Sequence, residues 1–174
     1  MNEALLDHDD WIRVSWAIDG QKYLEASGRW REFVYPFLIR DLDASRLPKI
    51  LDYGAGDGSF LKFLVEREKA KFELSAFEPH WPLASHAIAN LRGICQNVEV
   101  DRSAFDCKKF DYIIFSAVWM SLTHDQAIES LAWMRKRLAD EGRIMFSITH
   151  PCFRNYPGID YTTNFNANDY CKNG

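Results

Sequence analysis

One segment constrains this chain more than any other. The apolar run Lys49-Ile50-Leu51-Asp52-Tyr53 passes directly into Gly54-Ala55-Gly56-Asp57-Gly58, and a helical pattern starts at Ser59. A short extended run, a loop with glycine at every second position and a helix make a strand–turn–helix unit. Glycine suits such a turn because it tolerates left-handed backbone and lets another group approach the main chain. The amides at the start of the following helix favour an anionic group. Taken alone, the loop reads equally well as a purely structural turn.

Beyond the loop the hydrophobic period alternates. Residues 59–68 read as a helix with Phe60, Leu61 and Leu64 on one side, 71–77 as a strand, and 82–91 as a helix opened by Pro82. Residues 94–100 are a third strand candidate. The near-continuous apolar run 110–118 marks a strand covered on both faces. Thr123-His124-Asp125-Gln126 fits a capping box, followed by Ile128, Leu131, Met134 and Leu138 at helical spacing. Gly142 reads as the helix stop, and 143–149 as a fifth strand. The first 45 residues read as helical, with apolar stripes at Trp11, Val14 and Ala17 and at Phe33, Phe37 and Leu38. Strand and helix in alternation predict a parallel sheet with helices on both faces. Ligands then bind beyond the carboxyl ends of the strands, in the loops after residues 53, 77, 100, 118 and 149.

The chain's 174 residues suit one domain, and at 47% hydrophobic it can build a core without disulfide or metal staples. A net charge of −4 lacks the basic field that a phosphate backbone needs, which argues against nucleic acid as partner. The one dense basic cluster, Arg135-Lys136-Arg137, complements a helix C-terminus. Cys95, Cys107, Cys152 and Cys171 are widely separated, so neither a zinc site nor a disulfide framework is expected. A reduced, cytoplasmic setting follows. The acidic N-terminus does not read as a secretory signal, and no run approaches the roughly 20 apolar residues of a membrane span.

Glu78 gives the loop a partner. It ends the second predicted strand, 20 residues after Gly58. An acidic residue at about that separation can accept both ribose hydroxyls of a nucleoside; the alternative is a solvent-exposed glutamate at a strand end. The nicotinamide and flavin fingerprint, G-x-G-x-x-G, needs its third glycine where Ser59 stands. No G-x-x-x-x-G-K-[ST] run exists, which excludes a P-loop.

Ile50 to Gly58 resembles the first motif of class I S-adenosylmethionine-dependent methyltransferases. Phe77-Glu78-Pro79 resembles their second, ribose-binding motif, and Phe110-Asp111-Tyr112-Ile113-Ile114-Phe115-Ser116 their fourth-strand motif. Leu138-Ala139-Asp140-Glu141-Gly142-Arg143-Ile144-Met145 is similar to the segment before strand five. The resemblance covers about residues 48–152. Ile148-Thr149-His150-Pro151-Cys152-Phe153 is similar to a stretch found in a bacterial group of small-molecule methyltransferases.

The resemblance implies a Rossmann-like α/β fold, S-adenosylmethionine as cofactor and S-adenosylhomocysteine as product. It places Tyr53, Gly54, Ala55, Gly56 and Gly58 against the methionine part, and Glu78 and Pro79 at the ribose. Asp101, Arg102 and Ser103 fall beside adenine; there Asp101 either accepts from the adenine amine or merely caps a turn. Ser116 and Ala117 line the sulfonium region. Arg31 and Tyr23 are candidates for the cofactor carboxylate or a lid, against the plainer reading of an exposed helical arginine and a half-buried tyrosine. The sulfonium carries the difficult chemistry, so a base is needed only for a protonated acceptor. His150 is the candidate base and His124 a second cleft histidine; a histidine beside proline also serves as a structural hydrogen bonder. Trp119, Phe153, Tyr156 and Tyr161 form either an aromatic substrate wall or core and lid packing.

Ser116-Ala117-Val118-Trp119 is not the Asn-Pro-Pro-Tyr type linked to amino-methylation of adenine or glutamine, which favours a small molecule. The expected division is a helical lid or substrate segment at 1–45, a cofactor core at 46–153 and an irregular tail at 154–174. That tail is rich in turn formers, so the last two strands of the family's seven-stranded sheet are expected to be missing. Strand five then becomes an open edge and a candidate homodimer contact. Two other readings stand beside methyl transfer: a non-catalytic cofactor- or partner-binding module, and aminopropyl transfer. The latter needs acidic residues after strand four, where Ser116-Ala117-Val118-Trp119 has none.

Overall fold

A computed structural model describes residues 31–32, 35–40, 42, 47–68, 71–119 and 122–147. The chain alternates as β1 (Lys49–Tyr53), α1 (Ser59–Arg67), β2 (Glu73–Phe77), α2 (Trp81–Asn90), β3 (Asn97–Glu99), a 3₁₀ turn (Arg102–Phe105), β4 (Phe110–Ser116), α3 (His124–Arg137) and β5 (Leu138–Ser147). The five strands form one parallel sheet in the order β3-β2-β1-β4-β5. Strand order reverses between β1 and β4, the position at which sheets of this kind bind ligands beyond the carboxyl ends of the strands.

Two apolar layers enclose the sheet. On one face Ile50, Leu74, Ala76 and Ile114 meet Leu61 and Leu64 of α1 and Ala87 of α2. On the other, Leu51, Tyr53, Phe77, Ile113 and Phe115 meet Met134 of α3 and Phe105 of the 3₁₀ turn. Leu61 and Leu64 are fully buried; each such leucine contributes about 1.5–3 kcal/mol relative to exposure. The two-residue period of β1 sends Asp52 to the same face as Ile50, beneath the glycine loop, and Tyr53 to the α3 face.

Residues 31–32 and 35–40 are helical, with Leu38 buried and Phe37 exposed. Trp11, Val14, Ala17 and the tail from 154 onward lie outside the described residues.

The helix after β4 starts as its sequence signature predicts. Thr123 accepts from the Gln126 amide at 3.3 Å, and the Gln126 side chain accepts from the Thr123 amide at 2.9 Å. Its end does not involve Gly142. The helix stops at Arg137, and Lys109 Nζ donates to the carbonyls of Lys136 and Leu138 at 3.0 and 3.1 Å. A lysine thus satisfies the open end that a left-handed glycine commonly closes. Gly142 lies inside β5, where Leu138 pairs with Phe110 and Arg143 with Tyr112, so residues 139–142 bulge opposite Asp111 alone. A side chain at Gly142 would stand 2.9 Å from the carbonyl oxygens of Ala139 and Phe110.

Three strands are shorter than expected. β2 starts at Glu73, β3 retains only Asn97–Glu99, and β4 stops at Ser116. At β3 the preceding residues turn instead of extending, because the amides of Ile94 and Cys95 both donate to the Leu91 carbonyl.

Candidate functional site

The glycine loop is held from beneath by β2. The amides of Gly54 and Ala55 both donate to the Phe77 carbonyl, at 2.8 and 3.0 Å. Gly56 donates to Glu78 Oε2 at 2.8 Å, Gly58 to the Ala55 carbonyl at 2.9 Å, and Ser59 to Asp57 Oδ1 at 3.1 Å. Five amides of the loop and its junction with α1 are therefore already bonded within the protein, among them Ser59 at the helix start. The Ser59 amide, expected at the helix start to favour an anion, is instead taken by the Asp57 carboxylate, and the loop before it closes on Glu78 and on the end of β2.

Two glycines are required by close approach as well as by backbone. Gly54 has φ +84°, and a Cβ there would lie 2.3 Å from Val118 Cγ2. Gly58 has φ +76°, and a Cβ would meet Leu91 Cδ1 at 2.7 Å, where α1 packs on α2. Asn90 locks that contact by donating to the Asp57 carbonyl at 2.9 Å.

Three carboxylates sit around this loop, all buried: Asp52, Asp57 and Glu78, exposed by only 4%, 5% and 5%. Burial pushes the Asp52 carboxyl up to about 7, with further upward pressure from Glu78 and Asp57. Burial also raises Glu78, against the lowering effect of the His80 and Gly56 amides. Among the described residues no group of His, Cys, Asp or Glu is arranged to hold a metal ion. Asp52 and Asp57 are site residues that the sequence reading did not single out. The available signal was an acidic residue inside the buried run Ile50-Leu51-Asp52-Tyr53, which burial makes costly unless the site uses its charge.

Glu78 is not the solvent-exposed strand-end residue of the plainer reading. Its Oε2 accepts from Gly56 and its Oε1 from the His80 amide at 3.0 Å. A carboxylate offers about four acceptor positions, so two remain after these bonds. Two is the number that vicinal ribose hydroxyls require. Pro79 follows it and is exposed.

The other predicted residues are distributed around this centre. Asp101 caps the 3₁₀ turn, accepting from the Ser103 amide at 2.9 Å, and that bond holds its carboxyl below the usual range. Arg102 donates to the Tyr53 hydroxyl at 3.4 Å and pairs with Glu129. Tyr53 contributes its backbone to the loop entrance, while its ring packs against Phe77, Phe115 and Trp133 on the α3 face. Ser116 Oγ lies 2.7 Å from Ser147 Oγ, and the Ala117 amide donates to the Ser147 carbonyl at 3.1 Å. Ala117 has φ 57°, left-handed backbone that costs a non-glycine residue about 1–2 kcal/mol. Such strain at the carboxyl end of a central strand is typical of a functional position.

Arg31 donates to the Ser59 carbonyl at 3.1 Å, which brings it to the start of α1 beside the loop. Trp119 packs edge-on against Phe146 at 5.2 Å. His124 opens α3 and is exposed. Tyr23, His150, Phe153, Tyr156 and Tyr161 lie outside the described residues.

A comparison with protein families matches residues 23–172 to the methyltransferase domain. The chain belongs to this family. No curated protein sequence matches it. Among solved structures, this methyltransferase domain is similar in fold to the plantazolicin methyltransferase BamL, solved in complex with a triazolic desmethylPZN analog and SAH. The TM-score is 0.57 at 21% identity, over 76% of this chain and 49% of that one. It is likewise similar to the StiE O-MT domain, with TM-score 0.55 and 19% identity over 77% of this chain and 49% of that one. A SAM-dependent methyltransferase from Leishmania major gives 0.56 and 20% over 75% and 53%. The chain thus spans about half the length of these solved methyltransferases. No helix among its described residues is long and apolar enough to cross a membrane.

Proposed function

We propose that this chain binds S-adenosylmethionine across the carboxyl ends of β1, β2 and β4 and directs its methyl group to a small-molecule acceptor, releasing S-adenosylhomocysteine. The observation that carries the reading is the pairing of a glycine loop with buried carboxylates. Loop amides that would hold a pyrophosphate are already bonded, while the carboxyl groups of Asp52, Asp57 and Glu78 are buried around the loop, where a cation would draw Asp52 into its ionised form. That polarity suits a nucleoside bearing an ammonium and a sulfonium better than a dinucleotide. The solved neighbour that holds SAH on the same fold supports the cofactor.

When bound, the sulfonium supplies an activated methyl group. The protein's part is placement. Glu78 accepts the ribose hydroxyls with its two remaining acceptor positions, and Gly54 to Gly58 keep side chains out of the path of the methionine part. Ser116 and Ala117 form the wall between the reacting centre and β5, and Arg31 approaches from the side of α1. Orientation of this kind lowers a barrier by removing freedom in advance. Trp119 and Phe153 offer apolar surface to the acceptor, and residues 1–45, with Tyr23, act as its lid. His150, or His124 at the start of α3, would take a proton from a hydroxyl or ammonium acceptor. A net charge of −4 supports a small molecule over nucleic acid, and widely spaced cysteines support a cytoplasmic setting. Among the described residues β5 is the last strand of the sheet, and Phe146 is 42% exposed, which supports self-association through that strand.

Calorimetric titration with S-adenosylmethionine and S-adenosylhomocysteine tests the cofactor. Binding of both is expected, and a folded chain that binds neither would remove the reading. Transfer of labelled methyl groups to extract metabolites separates an enzyme from a binding module. Light scattering reads the mass that self-association through β5 would double.

A further inference from the structure

The residue before the first glycine is a tyrosine in a position where an apolar side chain would suffice. Tyr53 is 4% exposed, and its ring is surrounded by Phe77, Phe115 and Trp133. A buried hydroxyl is costly unless bonded, and this one is bonded on both sides. It donates to Ser130 Oγ at 3.1 Å and accepts from Arg102 Nη1 at 3.4 Å. The second guanidinium nitrogen of Arg102 pairs with Glu129, the neighbour of Ser130 on α3. The circuit therefore joins the end of β1, the turn after β3 and the middle of α3.

The turn is fixed at its far end, where Phe105 is buried against Phe110 and Asp106 accepts from Trp133 Nε1 and Arg137 Nη2, but its first residues are less held. It follows β3, only three residues long and at the outer end of the sheet, and Asp101, Ser103 and Ala104 are exposed. Its own capping bond, Asp101 to the Ser103 amide, fixes its internal shape but not its distance from the glycine loop. Arg102 ties the start of the turn to that loop, because its two nitrogens engage β1 and α3 together. A planar guanidinium with two partners fixes direction as well as separation.

We propose that Tyr53, Arg102 and Glu129 form a positioning brace that holds the turn at residues 101–103 in register with the glycine loop and so sets the preference for the 6-amino purine. The inference rests on the cofactor reading above. Arg102 acts through Tyr53 and Glu129, not as a ligand to the base. A base edge that donates from its amine is recognised only while the acceptors of the turn keep their place, whereas a 6-oxo purine lacks that donor.

The test compares S-adenosylhomocysteine with S-inosylhomocysteine by calorimetry in wild type, Tyr53→Phe and Glu129→Ala. Glu129 is exposed on α3 and alanine favours helix, so the second variant keeps the wild-type melting temperature. Both variants are expected to lose about 10-fold in affinity for the amino purine, the size of one lost charge-assisted bond, while the 6-oxo analogue changes less than about 2-fold. Unchanged affinities, or equal loss for both ligands, would overturn the brace while leaving the cofactor reading intact. A wild type that binds neither ligand would overturn both.

Discussion

Glu78 and Gly56 are joined by a 2.8 Å hydrogen bond from the loop amide to the carboxylate, across 22 residues of sequence. This bond couples the carboxylate proposed to hold the ribose to the shape of the glycine loop, so a change at either residue is felt at both. Glu78→Gln keeps the side-chain shape but loses the charge and half of the acceptor capacity. Cofactor affinity is expected to fall by about 1–3 kcal/mol, the range for hydrogen bonds to charged groups. Calorimetric titration checks this, and an unchanged dissociation constant would show that the carboxylate does not meet the ribose.

Asp52 predicts a pH effect with a definite sign. Its carboxyl is raised by burial from 3.8 to about 7, so the folded chain holds a proton that the unfolded chain has already lost. Stability therefore falls as pH rises from about 4 to 7. Asp52→Asn should flatten that slope and raise the melting temperature at pH 8. A cationic ligand favours the ionised form, so S-adenosylmethionine should bind more tightly through pH 6–8, a trend the asparagine variant loses. Parallel pH profiles for both proteins would contradict this.

Gly54→Ala meets two obstacles, left-handed backbone and the Val118 methyl 2.3 Å from the new Cβ. Cofactor binding is expected to be lost. Adding Val118→Ala relieves the contact but leaves about 1–2 kcal/mol of backbone strain. Partial recovery in the double variant, read by titration and thermal melting, is the expected pattern. Full recovery would mean that the backbone conformation is unimportant.

Ala117 adopts φ 57° between β4 and the loop that covers Gly54. Ala117→Gly should stabilise the fold by about 1 kcal/mol, since glycine takes this conformation without strain. Ser147→Ala removes the partner of Ser116 Oγ and one acceptor of the Ala117 amide at 3.2 Å. It should lower the melting temperature in both the wild-type and the glycine background. Urea melts of the three variants measure the balance, and a destabilised Ala117→Gly would show that the strain is not stored there.

Local patterns made much of this fold legible. The period change at Ser59, the capping box at Thr123 and Gln126, and the doubly buried run of β4 each depend on neighbours a few residues away, and each is present in the structure. Gly142 misled because glycine after a helix suggests a stop, whereas here it relieves a crowded bulge against Phe110. The residues that stop α3 include Lys109, which no local window contains.

The sequence by itself determined the strand–loop–helix unit, the parallel α/β order and the place of Glu78 beside the loop. These follow from side-chain period and glycine spacing, which act within one or two turns of chain. Tertiary structure decided which groups of the site remain available. Tyr53 reaches Ser130 across 77 residues and Ser116 meets Ser147 across 31. Bonds of that kind bring together elements that the chain order leaves apart, so no local pattern encodes them. The contacts of Gly54 and Ala55 with Phe77 and of Gly56 with Glu78 are of the same long-range kind, and they decide which loop amides are already taken.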